Sequence, residues 1–343
     1  MQRRELCFDF PESLIATEPR RPSRVMWVEG PAASPIELDL ETLKSQLHPG
    51  DVVVVNDTRV VKRRVFTHEG LEILFLREIE PRQWQVLFPS RELKVGAQIF
   101  LPGGVKLTLL RKGRPQLVLV NADLQESYFE RFGELPLPPY IQKARGERHH
   151  RGNDGSKDGK LEEKWYQTAW NAKPGSLAAP TASLHWTRQD LEDLRRRDVG
   201  VEQLTLHVGL GTFLPVTADR LQDHAMHEEW VEIPAATWER TRQCRGRVWA
   251  LGTTVARALE SAARGQLSKD QQGFFGGTNL FLYPGQEWLL VKGLLTNFHQ
   301  PESTLLALVA SFCDLPTVKA AYQWAIKNRF RLFSYGDLTA WKR

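Results

Sequence analysis

Short apolar runs follow one another between residues 52 and 120, separated by Gly, Pro or charged residues. The runs are rich in Val, Leu, Ile and aromatic residues: DVVVV, LEILFL, RQWQVLF, AQIFL, VKLTLL and QLVLV. Their spacing of about 8–12 residues is typical of short strands in a small all-β unit. Because no helical pattern interrupts them, the sequence predicts an antiparallel β-barrel of about six strands, closed by a short amphipathic helix at 124–132.

From about residue 165 onward, strand patterns alternate with helical ones. Strands are predicted at 201–209, 247–252 and 288–297, and helices at 187–200, 235–246, 253–263, 303–312 and 321–330. Thr187 and Asp190 have the spacing of a capping box at the start of the first of these helices. Alternation of this kind predicts an α/β fold with a largely parallel or mixed sheet and covering helices.

The chain length also bears on the domain organisation. At 343 residues the chain exceeds the ~250–300 residues at which a single core stops growing, so two domains are expected. The polar N-terminal segment is expected to pack with the C-terminal part, which makes the barrel an insertion. We predict an α/β catalytic domain of residues 1–58 with 142–343, an inserted β-barrel domain of residues 59–141, and a flexible charged loop at 143–164.

Composition narrows the class of protein. No apolar run approaches the ~20 residues that span a bilayer, and no apolar segment of a signal peptide follows the N-terminal charges. Cys7, Cys244 and Cys313 are far apart and form no C-x-x-C pair, which argues against a zinc ribbon or a disulfide framework. We therefore expect a soluble, cytoplasmic protein, with a monomer as the simplest state.

The net charge of +5 is modest, but the basic residues are clustered. The clusters are Arg20, Arg21 and Arg24; Arg59, Lys62, Arg63 and Arg64; and Lys327, Arg329, Arg331, Lys342 and Arg343. A solvated face accounts for any one of them. Taken together, the three clusters are explained equally well by a polyanionic partner, such as a nucleic acid.

Polar residues follow three of the predicted strands, where ligands bind in α/β sheets. Their segments are TLHVGLGTF (205–213), GTTVARALES (252–261) and LLTNFHQPEST (294–304), and a fourth polar segment, GSLAAPTASLHW (175–186), ends near His185. The start of a helix at Gly252–Thr254 suits an anion. Helix capping explains Thr253, Ser303 and Thr304 equally well, and a hydrogen-bonded core position explains His185. Three such strand ends in one sheet nevertheless favour a genuine site.

The segment HAMHE (224–228) also suggests chemistry. His224, His227 and Glu228 offer metal ligands and Glu229 a base, but the pattern is not H-E-x-x-H and no third ligand is evident nearby. A general-base or substrate-contact role fits these residues better than a metal site. A metal-dependent hydrolase is the alternative that this segment leaves open.

These segments resemble the S-adenosylmethionine:tRNA ribosyltransferase-isomerase family of queuosine biosynthesis. The resemblance runs nearly end to end through FDFPESLIA, GDVVVVNDTRV, LPLPPYI, YQTAW, GSLAAPTASLHW, TLHVGLGTFLPV, DHAMHEE, GTTVARALES, LFLYPG, LLTNFHQPESTLLALVASF and RFRLFSYGD. It implies an α/β domain with an inserted β-barrel. It also implies transfer of the ribosyl part of S-adenosylmethionine to 7-aminomethyl-7-deazaguanine at the wobble position of a tRNA with a GUN-type anticodon. The products would be epoxyqueuosine-tRNA, adenine and methionine, with no metal or further cofactor.

The reaction so implied needs a base beside the sulfonium, a donor for the departing adenine and a partner for the methionine carboxylate. We predict His185, His207, His227 and Glu228 as acid/base candidates. Gly252–Thr254 and Arg257 are predicted to hold the methionyl end or a tRNA phosphate, and Asn297 and His299 to orient the ribose or adenine. Further predicted substrate contacts are Thr181, Gly209, Gly211, Thr212, Ser303 and Thr304. Predicted tRNA contacts are Arg59, Lys62, Arg63, Arg64, Arg329 and Arg331.

The chain departs from the family pattern in several places. Ser183 stands where the family usually has Gly, and Trp186 where it has Phe. Lys62-Arg63-Arg64 replaces a common Pro-Ala-Arg, and Gln300 replaces a usual Leu. None of these changes removes a candidate catalytic group, so activity is expected. A tRNA-binding homologue that has lost catalysis through Ser183 and its neighbours is the remaining alternative.

Overall fold

A computed structural model describes residues 1–21, 23–138, 141, 163, 165–209, 211, 216 and 218–343. The chain divides into two compact units. Residues 1–59 and 167–343 form the mixed-sheet unit, and residues 60–166 form the antiparallel unit. The predicted charged loop at 143–164 lies, apart from residue 163, outside the described residues.

The described strands, in chain order, are β1 Arg24–Glu29, β2 Ile36–Asp39, β3 Val52–Asn56, β4 Thr58–Val60, β5 Arg64–Phe66, β6 Glu72–Glu80, β7 Gln83–Leu87, β8 Gln98–Leu101, β9 Val105–Arg111, β10 Gln116–Val120, β11 Gly133–Glu134, β12 Lys173–Ser176, β13 Gly200–Leu206, β14 Glu229–Pro234, β15 Val248–Leu251, β16 Ser268–Lys269, β17 Gly273–Thr278, β18 Gly293–Asn297 and β19 Leu338–Lys342. The described α-helices are α1 Leu40–Ser45, α2 Glu126–Phe132, α3 Arg188–Arg196, α4 Ala235–Arg242, α5 Thr253–Ala263, α6 Thr304–Phe312 and α7 Leu315–Lys327. Short 3-10 helices include Thr181–His185.

A ten-stranded mixed sheet forms the centre of the mixed-sheet unit, in the order β16-β17-β14-β13-β3-β15-β18-β19-β1-β2. Its four middle strands, β13, β3, β15 and β18, run parallel to one another. The core beside this sheet includes Trp27, Trp186 and Trp249. The predicted α/β fold with a mixed sheet is confirmed.

Strand β3 corrects one interpretation of the sequence. The strand pattern predicts the run DVVVV to be the first strand of the all-β unit, although the predicted domain bounds leave it within residues 1–58; in the structure β3 lies between β13 and β15 in the mixed sheet. All five residues of β3 are buried. A strand that is buried on both faces has a continuous apolar sequence, whereas strands β7 to β10 of the antiparallel unit alternate between buried and more exposed residues.

The antiparallel unit contains a curled sheet of seven strands in the order β11-β5-β6-β7-β10-β9-β8. The barrel prediction is wrong in one respect: in the described part of the chain β8 and β11, the two edge strands, do not pair, so the sheet stays open. Strand β11 has only two residues, both paired with β5. Phe129 of α2 packs against Phe75 and Trp84 of the sheet and so fills its concave core.

Capping and side-chain hydrogen bonds set the element boundaries. The predicted capping box of Thr187 and Asp190 is present at the start of α3. The predicted strand at 288–297 is confirmed only for its second half, β18. Before β18 the carboxylate of buried Glu260 accepts the backbone N–H groups of Leu289, Leu290 and Val291 at 2.9–3.0 Å. These donors are therefore not available for sheet pairing.

Helices α6 and α7 carry the most apolar stretch of the C-terminal region. Among the described residues no single helix has the length and apolar character to cross a membrane. Taken together, α6 and α7 meet that test by length and composition only, and they are bent by 111° at their junction.

Candidate active site

Several chain segments end at one edge of the mixed sheet. The parallel strands β13, β3, β15 and β18 all present their carboxyl ends there, because their register aligns Leu204 with Asn56 and Leu251 with Leu295. Strand β19 runs antiparallel to β18, and β1 runs parallel to β19, so both begin at this edge. The three polar strand ends found in the sequence are therefore neighbours. A fourth, Asn56–Thr58 after β3, was missed, although a polar triplet directly after a buried strand is the same signal.

His185 lies in a chain of buried hydrogen bonds. Its Nδ1 is 2.6 Å from Ser23 Oγ, and its Nε2 is 3.0 Å from the amide nitrogen of Asn297. Since the amide donates to Nε2, the ring proton must lie on Nδ1 and be donated to Ser23. Thr181 donates in turn to the Asn297 oxygen at 2.8 Å. Burial, with Arg21 and Arg331 nearby, lowers the pKa of His185 to about 3.

His299 is also held inside the protein. Its Nε2 is 2.9 Å from Thr296 Oγ1, and its backbone N–H donates to the hydroxyl of Tyr322 on α7. Burial lowers the pKa of His299 to about 3. The ring is therefore neutral at physiological pH, and its orientation follows from residues of β18 and α7.

His207 is more open than the other two. It is half-buried, and its Nδ1 is 2.7 Å from Thr58 Oγ1. Its Nε2 has no hydrogen-bond partner among the described residues. Burial lowers the pKa of His207, although the carboxylates of Glu232 and Asp57 oppose this shift. A Cβ at Gly175 would lie 2.9 Å from the His207 ring, so only glycine permits this close approach.

Asn56 ties together three of the segments at the edge. Its Oδ1 accepts the backbone N–H groups of Thr58 and Leu206, both at 3.1 Å. Its Nδ2 donates to the Leu206 carbonyl at 2.9 Å and to Thr254 Oγ1 at 3.3 Å. One fully buried amide thus fixes the ends of β3 and β13 and the first turn of α5.

Arg257, a predicted substrate contact, is already engaged within the protein. It forms a buried ion pair with Glu229 through Nη1 and donates to the Leu280 carbonyl through Nε at 3.0 Å. Glu229 also accepts the backbone N–H of Gly209 at 2.9 Å. The remaining nitrogen, Nη2, is buried and has no partner among the described residues. Only this nitrogen is left for a substrate oxygen, and the predicted role rests on it.

The other predicted substrate contacts differ in placement. Ser303 caps α6 by accepting the Leu306 N–H at 3.1 Å, and Thr304 is the first residue of that helix. Gly211 lies against His227, whose side chain is exposed. Thr212 lies outside the described residues.

The HAMHE segment does not gather into a ligand cluster. In the described portion of the chain, the one group of three potential ligand residues within reach of a single ion is Glu41, Asp190 and Asp193. Lys44 Nζ lies among these carboxylates, 2.6–3.1 Å from each. His224 instead packs against the ring of Phe281, and the exposed Glu228 covers Gly277.

Ser183, one of the two departures from the family pattern beside His185, is fully buried in the 3-10 helix Thr181–His185. Its hydroxyl has no hydrogen-bond partner among the described residues.

The basic residues predicted to bind tRNA are largely neutralised. The pairs are Lys62 with Glu130 and Glu163, Arg63 with Glu126, and Arg64 with Glu134. Arg63 also lies over the ring of Phe129. Arg331 donates to the Glu18 carbonyl, whereas Arg59 and Arg329 are exposed. The tRNA-contact role stays a prediction, and for the paired residues it would compete with these ion pairs.

Neutral imidazoles and buried amides at the carboxyl ends of parallel strands form the kind of site that α/β enzymes use. The chain belongs to the queuosine biosynthesis protein family, whose model matches residues 3–340. The family resemblance that the sequence motifs indicated is therefore confirmed.

Two relatives each match 98% of the chain. The S-adenosylmethionine:tRNA ribosyltransferase-isomerase of Halothermothrix orenii is 37% identical over 355 residues, which cover 98% of this chain and 98% of the relative. The crystal structure of S-adenosylmethionine tRNA ribosyltransferase from Thermotoga maritima matches with a TM-score of 0.54 and 27% identity, over 98% of this chain and 99% of that one.

Proposed function

We propose that this protein transfers the ribosyl part of S-adenosylmethionine to 7-aminomethyl-7-deazaguanine at the wobble position of a tRNA with a GUN-type anticodon. The ribosyl carbon skeleton rearranges to an epoxycyclopentane, adenine and methionine leave, and epoxyqueuosine remains in the tRNA. The observation that carries the proposal is the end-to-end identity of 37% to a relative named S-adenosylmethionine:tRNA ribosyltransferase-isomerase, a name that gives S-adenosylmethionine, tRNA and the class of reaction. The polar sheet edge supports it, because it offers neutral imidazoles for proton transfer.

His207 is the base in this proposal. The reaction needs removal of a proton next to the sulfonium, and a neutral imidazole nitrogen without a partner among the described residues can accept it. His207 has such a nitrogen in Nε2, while Thr58 fixes the ring through Nδ1. The lowered pKa keeps His207 in the neutral form that a base requires at pH 7.

His185 acts as a positioning residue rather than the base. Both of its ring nitrogens already form hydrogen bonds, to Ser23 and Asn297. Through Asn297 it also orients Thr181, which is consistent with a role for this group in seating the ribose or adenine. The exposed His227 and Glu228 serve as substrate contacts. The first turn of α5 and Arg257 Nη2 hold the methionine carboxylate.

The test is adenine release from S-adenosylmethionine in the presence of tRNA that carries the deazaguanine. Wild-type protein should release one adenine per modified tRNA. His207→Ala should lower kcat at least 100-fold, as expected for loss of a general base. The matched control is His48→Ala, which removes an exposed histidine from the same unit and should leave kcat unchanged.

A negative result of the adenine-release assay shows which part of the proposal is wrong. If wild-type protein binds the tRNA tightly and releases no adenine, the function is wrong, and a tRNA-binding homologue is favoured. If wild-type protein is active and His207→Ala keeps its turnover, only the assignment of the base is wrong. A cytoplasmic location and a monomeric state belong to the same proposal.

A further inference from the structure

One end of the antiparallel sheet gathers basic residues that are distant in sequence. Arg111, Lys112 and Arg114 lie at the turn between β9 and β10. The preceding segment 90–97 lies against this turn: Gly96 donates to the Leu109 carbonyl at 2.8 Å, and Leu109 donates to Ala97 at 3.0 Å. Lys112 Nζ donates to the carbonyl of Arg91 at 3.3 Å. We call Arg91, Lys94, Arg111, Lys112 and Arg114 the hairpin-end patch.

The positive charge of the hairpin-end patch is uncompensated. All five side chains belong to exposed residues, and none forms an ion pair with a described residue. Between residues 91 and 121 the sequence has six Lys or Arg residues and one acidic residue, Glu92. The Lys62-Arg63-Arg64 run of the same unit has an acidic partner for every cation.

The backbone under the patch is fixed. The buried amide of Gln116 donates to the Phe88 carbonyl and to Ser90 Oγ, both at 2.8 Å, and so ties the segment before Arg91 to β10. Like charges repel on such a frame, and a polyanion relieves the repulsion by replacing the small counterions around them. Lys and Arg side chains supply many of the phosphate contacts by which proteins hold nucleic acids.

We propose that the hairpin-end patch binds the phosphate backbone of the tRNA substrate. This inference rests on the proposed function for the identity of the nucleic acid, and it moves the tRNA contact from the Lys62–Arg64 run to residues 91–114. The patch contributes affinity and salt dependence, while the chemistry takes place in the mixed-sheet unit.

The test compares wild-type protein with a variant that carries Lys94→Ala, Arg111→Ala, Lys112→Ala and Arg114→Ala. The Kd for unmodified tRNA transcript, measured by fluorescence anisotropy, should rise at least tenfold at 0.15 M salt. The slope of log Kd against log salt should decrease by about 3, since each phosphate contact contributes roughly 0.7–0.9 to it. In the adenine-release assay the KM for tRNA should rise, whereas kcat at saturating tRNA and the KM for S-adenosylmethionine should not change.

The control variant removes the same charge elsewhere, through Arg195→Ala, Arg196→Ala, Arg242→Ala and Arg245→Ala, which are exposed positions of the mixed-sheet unit. An unchanged Kd and salt slope in the patch variant would overturn the inference. An equal loss of tRNA affinity in the patch variant and the control variant would overturn it too. Arg111→Glu with Lys112→Glu, which leaves Gln116 intact, should weaken binding further than the matching alanines do. Anisotropy measures tRNA binding directly, so failure of the adenine assay in wild-type protein would disprove the proposed function without deciding this question.

Discussion

The histidines at the sheet edge differ in how many ring nitrogens the protein already uses. His185 uses both, His299 uses Nε2, and His207 uses Nδ1 while its Nε2 has no partner among the described residues. A ring that already donates and accepts within the fold can orient its neighbours but cannot take a further proton without breaking a hydrogen bond. His207 and His299 each have one ring nitrogen without a partner among the described residues, but His299 is buried whereas His207 is half-buried, so His207 is the better base.

The two buried histidines, His185 and His299, should make the stability of the protein fall in mild acid. Their folded-state pKa of about 3 lies below the value of about 6.5 in the unfolded chain. The neutral rings thus make their full contribution to the free energy of unfolding above pH 6.5, and this contribution is lost as the pH falls toward 3. Between pH 7.5 and 5.5 each should cost about 1.4 kcal/mol of unfolding free energy. Urea denaturation at the two pH values should show His299→Gln losing about 1.4 kcal/mol less than wild-type protein. An equal loss in both would contradict the buried neutral state of His299.

At the residue scale the sequence indicated which histidines mark the site but not what each does. The partner of His185 Nδ1 is Ser23, which is 162 residues away, and no local pattern connects them. Arg257 shows the same limit: its position after a strand end suggested an anion contact, whereas its main partner is Glu229 on another strand. Glu229 itself appeared in the sequence only as a possible base beside the HAMHE histidines.

At the scale of elements, helix starts were readable because capping is local, while sheet membership was not. Thr187 and Asp190 are three residues apart, so their pattern predicted the start of α3. By contrast, Trp288–Lys292 has the composition of a strand, but the Glu260 carboxylate of α5 takes three of its backbone donors. The place of β3 in the mixed sheet could not be deduced from local sequence, because its neighbours β13 and β15 come from far along the chain.

The pairing of β15 with β18 should not tolerate a side chain at Gly293. A Cβ there would overlap the indole ring of Trp249, its register partner. Trp249 cannot move aside easily, because it stacks on Trp27 and donates to Asp51 Oδ2 at 3.0 Å. We expect Gly293→Ala to lower the free energy of unfolding by about 3 kcal/mol in urea denaturation.

Gly70→Ala is the control for the added methyl group, since a Cβ at Gly70 meets no atom within 4 Å. Its positive φ should cost about 1 kcal/mol. If Gly293→Ala and Gly70→Ala were equally stable, the close packing between β15 and β18 would not explain the destabilisation by Gly293→Ala.

For the whole molecule, clusters of charge along the sequence were a poor guide to charge on the surface. The densest run, Arg59 to Arg64, is mostly neutralised by acidic residues of α2, β11 and position 163. The hairpin-end patch arises because the sheet brings residues 91–94 beside 111–114, a juxtaposition that depends on strand pairing. Local sequence carries the charges, but the fold decides which of them remain unpaired.

The two units should therefore respond separately to the two substrates. A ligand that binds only the native state raises stability by RT ln(1 + [L]/Kd), about 2.7 kcal/mol at 100 times the Kd. If S-adenosylmethionine binds at the edge of the mixed sheet, it should raise the Tm of wild-type protein without tRNA. The rise should be unchanged in the variant that lacks four charges of the hairpin-end patch. The tRNA-dependent rise in Tm should shrink in that variant, and more so at higher salt. Differential scanning calorimetry of both proteins with each ligand alone measures this, and a patch variant that lost its response to S-adenosylmethionine would contradict the separation.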